Sequence, residues 1–255
     1  MKTKSQLLLA TLLCLNAQGA SSLVNGNFEA FSMSTGVYNS PYNATTNPNG
    51  YNQDFGTTPL IRSYRDTVAG IGWQTTATNT AFGTNSTQKA IEIWASGAQA
   101  VPSTTGLGQF AELNAYQTAA LFQDVQITES GLVDYTFSHR GRNGTDVLKV
   151  LITYLGANNA IGGGDDTVLV DTNFSDGNTA WGTYAVNDAF ASVPGGFYRF
   201  SFGAVSSTPP TGSGPDTTYG NFLDNVAFGV NVVPEPSTAL LGAFGALALL
   251  RRRRH

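Results

Sequence analysis

In the run Leu132–Arg140, Val133, Tyr135 and Phe137 fall on one side of an extended chain while Asp134, Thr136 and Ser138 fall on the other. That two-residue period marks a strand with one buried face; a helix would need its apolar positions every three to four residues. Leu148, Val150, Ile152 and Tyr154 repeat the period with a mostly apolar reverse side, which predicts a central strand over Val147–Leu155. Ala90–Trp94, Phe110–Leu113, Ala120–Ile127, Trp181–Val186, Tyr198–Ala204 and Phe222–Phe228 are further strand candidates. Arg142-Asn143-Gly144, Gly162-Gly163-Gly164 and Pro194-Gly195-Gly196 punctuate them as turns, and helical periodicity is scarce. Many short strands at this spacing predict an all-β fold, a β-sandwich or jelly roll, over residues 23–230. Ser32–Arg65, with its Tyr and Pro among Asn, Thr and Gly, reads as one long loop region.

Composition removes several classes of chemistry. The one cysteine is Cys14 and the histidines are His139 and His255, so the body has no catalytic thiol, no Cys-ligated zinc site and no disulfide framework. Six of the 13 Lys and Arg sit at the two ends, as does one of the 17 acids, which leaves 7 bases against 16 acids in between. A body that acidic repels phosphate backbones, so nucleic acid is excluded as a partner.

Both ends read as addresses. Lys2 and Lys4, the apolar stretch Leu7–Leu15 and the small residues around Ala20 form a secretory signal peptide over residues 1–22. At the other end Val233-Pro234-Glu235-Pro236-Ser237 precedes an apolar, small-residue segment over Thr238–Leu250 and then Arg251, Arg252, Arg253 and Arg254. This order resembles the PEP-CTERM sorting signal of Gram-negative bacteria. Residues 231–255 are accordingly expected to hold a single hydrophobic sorting helix, with the Arg cluster kept on the cytoplasmic side of a transiently occupied membrane. Pro234 and Pro236 keep the backbone extended, as a protease requires. The resemblance implies cleavage near Pro-Glu-Pro by an exosortase-type processing enzyme. Delivery to the cell surface, outer envelope or extracellular matrix follows.

Within the body an ordered set of short motifs resembles the galactose-binding-like jelly rolls of carbohydrate-binding modules. They are Leu23-Val24-Asn25-Gly26-Asn27-Phe28-Glu29, Gly72-Trp73, Ile91-Glu92-Ile93-Trp94, Phe110–Ala115, Leu121–Val125, Tyr135–Arg142 and Gly220–Val226. In that family the opening and closing strands lie together and often share a structural calcium. Carried over, the resemblance implies Asn27, Glu29 and Asp224 as Ca2+ ligands, a staple suited to a domain without disulfides. Gly163-Gly164-Asp165-Asp166 and the stretch from Asp171 to Asn178 lack the spaced pattern of a calcium loop and read as solvated turns.

For a polysaccharide partner, Tyr38, Tyr42, Tyr51 and Tyr64 in the loop region are the candidates to stack on sugar rings. Arg140 and Arg142 are the candidates for forked hydrogen bonds to hydroxyls or carboxylates. Trp73, Trp94 and Trp181 are expected in the core. Glu92 and Glu112 each sit inside an apolar strand, where a carboxylate needs a role or a partner. They make the best glycosidase pair, with outward-facing positions or ion pairs to Arg140 and Arg142 as the structural reading. No catalytic residue is assigned. The expected function is an exported, non-enzymatic, carbohydrate-binding or adhesive protein. A hydrolase acting through Glu92 and Glu112 and a passive matrix component without a discrete ligand are the alternatives.

Overall fold

The period-two runs form strands, and apolar sides facing each other make them two sheets. The computed structural model describes residues 22–30, 50–52, 61–67, 69–78, 89–106, 108–115, 117–212 and 219–232. Twelve strands lie in these segments: β1 (Gly50–Asn52), β2 (Ile61–Arg65), β3 (Gln74–Thr75), β4 (Ala90–Ala95), β5 (Gln109–Glu112), β6 (Ala120–Ile127), β7 (Gly131–Arg140), β8 (Asp146–Tyr154), β9 (Thr167–Asp176), β10 (Gly182–Ala191), β11 (Gly196–Ser206) and β12 (Phe222–Val232). Every pairing is antiparallel. One sheet has the order β1-β2-β4-β5-β12-β7-β10 and the other β3-β6-β11-β8-β9. The closing strand β12 thus enters the middle of the larger sheet, between β5 and β7, as in a jelly roll.

Leu148, Val150 and Ile152 from β8, Phe200 and Phe202 from β11, and Val133, Tyr135 and Phe137 from β7 fill the space between the sheets. Aromatic contacts run through this core: Phe28 stacks on Trp73, Trp73 meets Phe202 edge-on, and Phe137 touches Phe202, Phe174 and Tyr184. A second apolar cluster lies on the opposite, outer side of the larger sheet. It contains Ile61, Trp94, Phe110 and Phe222, covered by Ala98, Val101 and Trp181. Trp73 and Trp94 are therefore core residues, while Trp181 is half-buried and donates its indole N–H to Pro102 O at 2.7 Å.

The structure corrects the expected loop in two places, because β1 and β2 fall inside Ser32–Arg65. Tyr64 is opposite Ile91 in β4 and packs in the inter-sheet core, away from any binding surface. Tyr51 lies in β1, opposite Ser63. β9 also has no counterpart among the expected strands. A register shift sets Val170 opposite Ile152 but Val168 opposite Thr153, so its apolar residues do not keep one period. Among the described residues no helix is long and apolar enough to cross a membrane. The signal peptide up to residue 21, Tyr38, Tyr42, the Pro234-Glu235-Pro236 motif and Arg251–Arg254 lie outside the described residues.

Candidate functional site

The opening turn and β12 do come together. Val226 N donates to Gly26 O at 2.8 Å, and a Cβ on Gly26 would sit 2.0 Å from Val226 O, so only glycine permits this approach. The turn carries Glu29 to the start of β5, where its carboxylate accepts from Gln109 N at 2.5 Å and Gln109 Nε2 at 3.1 Å. Asp224, on β12, is 3% exposed and accepts from Thr104 Oγ1 at 2.6 Å and Asn225 N at 2.7 Å. Burial, with the Glu29 charge adding to it, pushes the Asp224 carboxyl up to about 6. Among the described residues neither acid is ion-paired with a Lys or Arg. Two acids thus come from opposite ends of the body, and among the described residues no group of three or more His, Cys, Asp or Glu is placed to hold a metal ion. Asn27 lies in the same turn and its Oδ1 accepts from Glu29 N at 3.4 Å.

Glu92 and Glu112 are directly opposite each other on β4 and β5. Both point to the outer side of the larger sheet, as alternation requires, but the covering segment leaves them 3% and 2% exposed. Arg142 Nη1 reaches Glu112 Oε1 at 2.9 Å, and Gly220 N donates to the same oxygen at 2.7 Å. Trp94 Nε1 donates to Glu92 Oε1 at 2.5 Å. The Arg142 guanidinium lies over the rings of Trp94 and Tyr219, 4.6 and 4.9 Å from their centroids, and its Nη2 donates to Gln99. Burial foremost, then the Glu112 charge and a hydrogen bond to Glu112, holds Glu92 well above the usual carboxylate range. Two carboxyls hydrogen-bonded to each other leave no gap for a glycosidic bond, which a glycosidase pair must flank at about 5 to 10 Å. The Arg142–Glu112 ion pair fits the structural reading. Arg140 is buried too, donating Nη2 to Asn178 O at 2.5 Å, and burial lowers its guanidinium below the ordinary value.

His139 is wholly buried: Nδ1 meets Asp176 Oδ2 at 2.8 Å and Nε2 meets Asn221 Oδ1 at 3.0 Å. Burial opposes the Asp176 charge, yet the hydrogen bonds from His139 and Tyr184 outweigh it and hold that carboxyl below its ordinary value. Asp146, at 0% exposure, accepts from three backbone N–H groups: Arg142 at 3.0 Å, Thr208 at 2.7 Å and Asn221 at 2.9 Å. These are structural knots.

The outer side of the smaller sheet is different. Residues alternating with the core positions of β8 and β11, namely Lys149, Leu151, Ser201, Gly203 and Val205, line a shallow trough of about 370 Å³ with Ala120 and Ala204. Gly203 stands inside β11 opposite Ala120 and Lys149, so the trough floor is backbone where a side chain would otherwise stand. A glycine inside a strand commonly marks a close approach by a ligand or another backbone. Lys149 is half-exposed on one wall and ion-paired to Asp171 at 2.7 Å. Beyond Ser201, Arg199 lies 3.9 Å over the Phe122 ring and makes two 2.7 Å hydrogen bonds to Asp124. No residue of this face was among the sequence candidates; the Gly in an otherwise aromatic strand was the available signal.

The fold and these sites define a jelly-roll β-sandwich whose chain ends in a sorting signal. Residues 232–254 match the PEP-CTERM protein-sorting motif. Such a signal marks a chain for exosortase-linked export to the cell surface or beyond. Similar solved structures include the CBM22-1 xylan-binding domain of Paenibacillus barcinonensis Xyn10C, at 10% identity over 68% of this chain and 94% of that one, TM-score 0.38. TmCBM61 in complex with β-1,4-galactotriose is similar at 12% identity over 61% and 86%, TM-score 0.35. The CBM35 domain of Cellvibrio japonicus Abf62 is similar at 20% identity over 51% and 78%, TM-score 0.32. At these values the likeness lends no ligand and no residue role to this chain. No curated protein matches it in sequence.

Proposed function

We propose that this chain is an exported, non-enzymatic surface or matrix protein whose β-sandwich binds polysaccharide through the trough on its smaller sheet, with the tail removed near Pro234-Glu235-Pro236 by an exosortase-type enzyme. The observation that carries the reading is the Gly203 floor. Ala120, Leu151 and Ala204 offer an apolar surface for the C–H side of a sugar ring, and Lys149 and Ser201 offer polar atoms for its hydroxyls. In the same reading a structural Ca2+ ties Glu29 and Asp224, and with them the two ends of the body.

The test is a glycan array with the wild-type protein and Gly203→Val. A β-branched residue suits a strand and fills the trough, and its Cβ would meet the Ala120 Cβ at 3.2 Å, a contact that needs only a small shift. The expected result is saturable binding to at least one polysaccharide, weakened at least about tenfold in Gly203→Val with little change in melting temperature. Absence of saturable binding would favour a passive matrix component. Binding that Gly203→Val leaves intact would move the site elsewhere.

A further inference from the structure

Glu92 and Glu112 are the buried titratable groups that the proposed function leaves unused. They occupy directly opposed positions in β4 and β5, beneath the Ala98–Val101 cover. The groups around them are Ser63 on β2, Trp94 on β4, Phe222 on β12, Gln99 in the cover, and Arg142 and Gly220 in the flanking loops. Among the described residues, Arg142 is ion-paired with Glu112 and its charge also acts on Glu92. Arg140, on β7 beyond Phe222, turns its guanidinium to Asn178, and Asp146 is engaged by backbone N–H groups. Two buried carboxyls thus lie within the field of one guanidinium. Glu112 Oε2 is buried and has no hydrogen-bond partner among the described residues.

We propose that Glu92 and Glu112 hold one proton between them, and that this shared proton latches the Ala98–Val101 cover to the larger sheet, through Arg142 and Gln99, and releases it when rising pH removes the proton. The sign follows from which form burial favours. Glu92 is held above the ordinary carboxylate range, so its contribution is complete below the unfolded value and is lost as pH rises through the folded one. Above that point two buried charges compete for Arg142, and the hold on Gln99 weakens.

The test uses the full-length chain carrying Asp224→Asn, which removes the other acid that burial raises. Infrared spectra in heavy water at neutral pD are expected to show the carbonyl band of a protonated carboxylic acid, absent after Glu92→Gln. Melting temperature is expected to fall by at least about 3 °C between pH 6 and pH 10. Glu92→Gln should at least halve that fall, and the protection factors of residues 98–101, corrected for intrinsic exchange, should fall with pH only when Glu92 is present. No acid band at neutral pD, or the same pH slope with and without Glu92, overturns the proposal. If Glu92→Gln does not fold, the band and its titration in the Asp224→Asn chain decide alone.

Discussion

Replacing Asp146 by Ala is expected to be among the most damaging single changes in the protein. The carboxylate is fully buried at the start of β8, and its two oxygens take three backbone N–H groups. Arg142 N belongs to the turn after β7, Thr208 N to the connection leaving β11, and Asn221 N to the entry of β12, so one side chain joins three chain segments. Alanine leaves three donors without an acceptor. Each orphaned buried N–H costs about 1–3 kcal/mol, and partial hydration of the space left behind recovers some of it, so the net loss is about 3–5 kcal/mol. For a domain of this size that lowers the melting temperature by roughly 10 °C. Asp146→Asn keeps one acceptor oxygen but turns an NH2 toward a donor, and should lose about half as much. Urea denaturation of the three proteins, with hydrogen exchange at residues 142, 208 and 221, reads this directly. A loss under about 1 kcal/mol for Asp146→Ala would refute the reasoning, since solvent or a backbone shift would then be serving those donors.

Other outcomes follow from the same physics. Trp73→Ala removes a wholly buried indole stacked on Phe28 and edge-on to Phe202, and should cost about 3–5 kcal/mol in a urea titration. Gly26→Ala drives a Cβ into Val226 O, so hydrogen exchange should show the opening turn detached from β12. Asp224, raised from 3.8 to about 6, stabilises the fold below pH 4, and that contribution disappears as pH rises to 6; thermal melts of Asp224→Asn should be flatter over this window. If Ca2+ bridges Glu29 and Asp224, adding it at pH 7 raises the wild-type melting temperature and a chelator reverses the gain; an unchanged melting temperature removes calcium from the account.

Much of the sandwich was legible because alternation survives wherever one side of a strand packs on the core, as in β6, β7, β8 and β11. β1 and β3 are too short to show a period, and the shift in β9 splits its apolar residues between two sides. Alternation also placed Glu92 and Glu112 correctly on the side away from the inter-sheet core. That this side is itself covered, by a segment closing over Trp94, Phe110 and Phe222, left no local trace in the sequence. Asp146 was missed for a similar reason: its partners Thr208 and Asn221 are 62 and 75 residues away, and nothing nearby distinguishes it from an acid in a solvated turn. The approach of Glu29 to Asp224 came instead from motif resemblance, which carries pairing information that periodicity lacks. Tyr64 was misplaced because its Pro- and Gly-rich surroundings concealed a strand of five residues.

The polysaccharide reading depends on the sandwich reaching the outside of the cell without its sorting tail, and the intact mass of the protein recovered from native envelope and medium tests that directly. A species beginning near Leu23 and ending near Pro234–Ser237 is the predicted result, and it places the trough where extracellular polysaccharide is available. A species that keeps Arg251–Arg254 would contradict it, leaving a membrane-held protein whose partners must be sought in the periplasm.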